Sequence, residues 1–153
     1  MKAFQFRLQT KLTIALRQEQ LAREELQRAS FVRDQIADEL AEMIERLGNL
    51  HASIRNMIQD SEHFEKILIV REYIPIVSAS IQELELKLIQ AEKRVEECRL
   101  DLLEKKKETR TMEKLKEKAW QRYLHELQLE EQKLIDEVAN TAHYRSHQIE
   151  ESR

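Results

Sequence analysis

The sequence predicts an all-α protein: two long helices folded back on each other as one antiparallel coiled-coil hairpin. Three observations predict it. The chain has one glycine and one proline in 153 residues, so the residues that a sheet protein needs at its turns are missing. Ala, Glu, Lys, Leu, Arg and Gln, which lose least on entering a helix, are abundant. Apolar residues recur every three or four positions in two long runs, with a break between Gln59 and Pro75. Two amphipathic helices joined by one short connection can each bury a stripe on the other.

The first run keeps its spacing through Leu8, Leu12, Ala15, Glu19, Ala22, Leu26, Ala29, Arg33, Ile36, Leu40, Met43, Leu47, Leu50, Ile54 and Met57. Only Glu19 and Arg33 in this seam are not apolar, and the mean step of 3.5 is the period of a left-handed supercoil. Such a helix spans roughly 75–85 Å at 1.5 Å per residue. Alanines at 15, 22 and 29 predict a close approach of the helices there. Gly48 lies beside the seam and costs about 1 kcal/mol without ending the helix.

The second run passes through Ile74, Val77, Ile81, Leu84, Leu88, Ala91, Val95, Cys98, Leu102, Lys105, Thr109 and Met112. Cys98 therefore reads as a core residue. Beyond Met112 the apolar positions are Trp120, Leu124, Leu127, Leu134 and Val138, one residue out of step, which predicts a heptad discontinuity. Pro75 suits a first turn and not a helix interior, and Ser80-Ile81-Gln82-Glu83 reads as a capping box. The expected organisation is a single domain, 1–153: helix one over 4–58, a tip over 59–75, and helix two over 67–142. A kink or restart near Pro75 and a frayed tail over 146–153 complete it.

Composition limits what this chain does. A net charge of −3 and a pI near 6.0 argue against a dedicated nucleic-acid binder. No apolar run approaches the ~18–20 residues of a membrane span, and residues 1–7 lack the apolar core of a secretory signal. A lone cysteine suits a reducing cytoplasm. One glycine rules out a phosphate-binding loop, and no nucleophile elbow or cysteine pair occurs. His143 and His147 have helical metal-ligand spacing but no third ligand. The expectation is a cytoplasmic protein that is not an enzyme, with no catalytic residues, no cofactor, no metal and no direct membrane insertion.

Two regions remain as contact candidates. Between Glu104 and Lys118 seven Lys or Arg stand among four Glu. That run is either a solvated face with helix-spaced ion pairs or a basic collar for an acidic partner surface. Near the break, Phe64, Ile67, Ile69, Tyr73 and Ile76 cannot all face one helix, so they either pack locally or form a docking point. Symmetric pairing about residue 65 would also bring Phe4, Phe6 and Leu8 towards Trp120, Tyr123, Leu124 and Leu127.

Three stretches carry a family likeness. The opening Phe4-Gln5-Phe6-Arg7-Leu8-Gln9 with Leu12, the segment Arg71-Glu72-Tyr73-Ile74-Pro75-Ile76-Val77-Ser78, and Glu113-Lys114-Leu115-Lys116-Glu117-Lys118 resemble the FliJ family of bacterial flagellar export, over nearly the whole chain. The resemblance implies a central-stalk-like coiled coil of the flagellar export apparatus, in service of motility and chemotaxis. Its open end would enter and stimulate the hexameric export ATPase, and the hairpin would engage the cytoplasmic domain of the membrane export gate and the export chaperones. It would sit at the cytoplasmic face of the inner membrane, at the flagellar base. Carried over by position, gate contact falls on Tyr73 and Ile76, although Ile74-Pro75 replaces the family's glutamine-rich stretch after the tyrosine. ATPase contact falls on Phe4, Phe6, Arg7, Lys114, Lys118 and Trp120. The alternatives are the equivalent part of a virulence-type secretion system or rotary ATPase, and a generic structural coiled-coil dimer.

Overall fold

The computed structural model describes residues 3–59 and 64–151, with side chains to residue 142. Two helices make up nearly all of it: α1 (Gln9–Gln59) and α2 (Phe64–Glu151), 51 and 88 residues long. No strand occurs among the described residues. Within the chain two compact units are distinguished, one of Met1–Arg17 with Lys106–Arg153 and one of Gln18–Lys105.

In the Gln18–Lys105 unit the helices run antiparallel. Glu25 on α1 pairs with Arg94 on α2 at 3.1 Å, while Arg46, further along α1, meets Tyr73, further back on α2. Ala22, Val77, Ile81, Leu84, Cys98 and Leu102 are its buried apolar residues, each large one contributing about 1.5–3 kcal/mol by leaving water. Cys98 is a free, buried thiol, as a core position requires.

The seam predicted on α1 is the one that packs. From Leu8 to Met57 every seam position is buried or half-buried. The two polar ones are neutralised along their own helix, Glu19 by Arg23 at 3.0 Å and Arg33 by Asp34 at 2.9 Å. Gly48 lies on the exposed face with nothing within 4 Å of where a Cβ would stand. Gly48→Ala should therefore raise stability by about 1 kcal/mol, seen as a higher melting temperature by circular dichroism.

The ends and interior of α2 differ from the sequence expectation. The helix begins at Phe64 and passes through Pro75 without restarting, and Ser80-Ile81-Gln82-Glu83 lies in its interior, not at a cap. Pro75 is on the exposed side, where water can serve the carbonyl left without an N–H donor. Residues 60–63, between the helices, lie outside the described residues. α1 begins at Gln9, not at residue 4, its first turn closed by Gln9 N–H donating to the Phe6 carbonyl at 3.0 Å. α2 continues to Glu151, past the predicted end at 142; of the predicted frayed tail, residues 152–153 lie outside the described residues.

The predicted heptad discontinuity comes later than Trp120: Leu124 and Leu127 are half-buried as expected, while Glu126, which an unbroken heptad would bury, is exposed. In the unit containing Lys106–Arg153, the three-four spacing continues through Lys116, Ala119 and Tyr123, all half-buried. Lys116 and Ala119 gave no apolar signal to follow, and the long lysine stem covers apolar surface while its charge stays in water. Residues 128–142 are exposed, Leu134 and Val138 among them. Among the described residues of this unit, Leu12, Ala15 and Thr109 are buried. The Thr109 hydroxyl has no hydrogen-bond partner, which costs about 1–3 kcal/mol of desolvation. The nearly isosteric Thr109→Val should shift the urea midpoint upward by an equivalent of about 1 kcal/mol.

Surface ion pairs decorate α2. Hydrogen bonding from Lys87 holds the Glu83 carboxyl below its ordinary pKa, and Arg99 does the same for Glu96. Their small stabilisation is present above the ordinary carboxylate range and fades as pH falls through the lowered values.

Candidate functional site

The segment before α1 is tied down by aromatic packing. Phe4 meets the Trp120 ring edge-on at 5.0 Å and Tyr123 at 5.5 Å, while Trp120 and Tyr123 stack at 5.5 Å. Each such pair adds about 0.5–1.5 kcal/mol beyond area burial. The cluster expected from symmetric pairing is therefore present for these three rings, and Phe6 is half-buried beside Phe4 in sequence. Trp120, off the seam, keeps 41% of its surface in water. An open cleft of about 810 Å³ runs alongside, lined by Ala3, Phe4, Arg122, Tyr123, Glu126 and Leu127 among others.

Arg7, Lys114 and Lys118 are all exposed in this unit. Lys114 and Lys118 are one helical turn apart and share a side of α2. The arrangement offers a half-exposed indole, a cleft of mixed apolar and charged lining and exposed cations. No His, Cys, Asp or Glu group of metal-binding composition occurs among the described residues; the side chains of His143 and His147 lie outside them.

The Gln18–Lys105 unit carries the second candidate surface, at the start of α2. Ile69, Tyr73 and Ile76, spaced four and three apart, form one ridge on the helix. Ile69 and Ile76 are 67% and 63% exposed. Tyr73 lies under the Arg46 guanidinium, 5.8 Å from ring centre to carbon, a cation–π contact that restricts the ring. Phe64 is open to solvent, whereas Ile67 and Ile74 are half-buried against α1 beside a groove of about 550 Å³ with His51, Ile54 and Ile58. The apolar residues near the break thus divide between local packing and exposure. Arg46 was missed by the sequence reading, because a charged residue outside the seam gives no sign of which ring it covers.

No helix among the described residues is long and apolar enough to cross a membrane. A family model described as flagellar FliJ protein matches residues 4–148. A solved structure of a Chlamydia trachomatis protein, described as a YscO homologue, superposes with a TM-score of 0.61 at 20% identity. The match covers 95% of this chain and 99% of that one, and at this identity the likeness is one of fold. Among curated proteins no relative matches.

Proposed function

The chain belongs to the flagellar FliJ family, and on that premise we propose that it is the non-enzymatic, stalk-like partner of the flagellar export ATPase. It binds the ATPase hexamer, promotes ring assembly and hydrolysis, and links the ring to the membrane export gate and the export chaperones. The observation that carries this reading is the Phe4–Trp120–Tyr123 cluster. It holds the segment preceding α1 against α2 and leaves a half-exposed indole in the same unit as exposed Arg7, Lys114 and Lys118. Phe4, Phe6, Arg7, Lys114, Lys118 and Trp120 are the ATPase-facing residues. Tyr73 and Ile76 meet the gate, and the chain works in the cytoplasm at the membrane face of the flagellar base.

Cognate ATPase mixed with the full chain should hydrolyse ATP faster and assemble more rings. The charge reversal Lys114→Glu with Lys118→Glu should abolish the stimulation without loss of helicity, while Ile76→Ala weakens gate binding alone. Full stimulation by the charge-reversed chain would remove the ATPase assignment from this face. The second reading, the equivalent part of a virulence-type secretion system, is supported by the fold shared with the YscO homologue. Capture of a secretion ATPase rather than a flagellar one would favour it.

A further inference from the structure

Opposite its seam, α2 carries a second apolar stripe that α1 does not cover. Leu86, Ile89, Leu100 and Leu103 are between 48% and 63% exposed, with exposed Lys93 and Glu96 in the middle of the row. The six positions step by three, four, three, four and three, so the row reads the same from either end. Apolar pairs close both ends, and two opposite charges sit at the centre. A stripe with this symmetry is its own complement.

We propose that free copies of this protein self-associate through the outer face of α2, antiparallel, about a two-fold axis between Arg94 and Val95. In that pairing Leu86 lies on Leu103 of the second copy, Ile89 on Leu100, and Lys93 opposite Glu96. Symmetry repeats each contact, so the centre holds two ion pairs. Along one edge Glu92 comes beside Arg99 of the second copy. Along the other, Glu97 meets Gln90, and Glu83, already held by Lys87 at 2.7 Å, comes near Glu104. Parallel pairing would set Lys93 on Lys93 and Glu96 on Glu96, and like charges directly opposed forbid it. A foreign helix would have to reproduce this order, whereas a second copy already has it.

Little stands in the way. The Glu96–Arg99 pair, at 2.9 and 3.0 Å within one helix, is exposed and exchanges partners at small cost. The buried face of α2, with Val77, Leu84, Cys98 and Leu102, points to the other side, so pairing leaves the hairpin intact. Four apolar side chains per copy make a small interface, at the low end of specific ones. The association is therefore weak and concentration-dependent.

Sedimentation equilibrium of the full chain from about 5 to about 500 μM, where interfaces of this size associate, should show a monomer–dimer equilibrium. Leu100→Glu should weaken it about a hundredfold or more by burying an unpaired charge twice, with unchanged helicity. Lys93→Glu alone should weaken it, and Lys93→Glu combined with Glu96→Lys should restore it. A chain that stays monomeric throughout overturns the proposal and leaves the face to the helix of a different protein. A dimer indifferent to Leu100→Glu, or one not restored by the exchanged charges, overturns it as well.

Discussion

Leu84→Asp should unzip the Gln18–Lys105 unit, with a loss of about 4 kcal/mol or more. Leu84 is 5% exposed on the α1-facing side of α2, so the substitution deletes a buried side chain and leaves a carboxylate there without a partner. Far-UV circular dichroism should show a melting transition lowered by tens of degrees or absent at room temperature. The control lies two residues on. Leu86 is exposed on the opposite side of the same helix, and at low concentration Leu86→Asp should cost only about 0.5 kcal/mol, like other surface changes. Equal losses for the two would mean that the α2 register is wrong by a position.

Phe4→Ala should release the segment before α1 while leaving both helices formed. The ring contributes its own burial and two aromatic contacts, worth about 2–3 kcal/mol together. Trp120, the chain's one tryptophan, sits against it and reports the loss. Its emission should shift to the red, and residues 3–8 should become open to proteolysis, with helical content nearly unchanged. Unaltered emission and protease resistance would mean that the segment is held by something other than this cluster. Under the proposed function the same variant weakens ATPase stimulation, because the contact surface is no longer braced.

The difference between these two predictions follows from how each feature is written in the chain. Leu84 belongs to a repeat whose positions are legible one by one, since a helix has a single period and a buried stripe must follow it. Every seam position from Leu8 to Met57 and from Ile74 to Met112 is covered in the structure. The ring cluster was legible only through pairing symmetry, because Phe4 precedes the helix and obeys no period. Trp120 departs from the period. Read as the next seam residue, it stands beside the seam, where Ala119 and Tyr123 take the heptad positions. Following the largest apolar side chain misplaces this one position, because small and long-stemmed residues fill a narrow seam as well as leucine does. Leu124 and Leu127 beyond it are half-buried as expected.

Composition and periodicity by themselves determined that this chain is helical, that it forms two antiparallel segments, and which side of each is buried. These properties depend on backbone propensity and a repeat, both local and additive along the sequence. Only tertiary packing decided that α2 runs unbroken through Pro75, that Arg46 covers Tyr73, and that Phe4 bridges to Trp120 and Tyr123. A helix tolerates an internal proline when its exposed side can be served by water and its other side is packed. A side chain finds its partner across the hairpin only once the register of two helices has been set. Both depend on neighbours distant in sequence, and no local pattern encodes those.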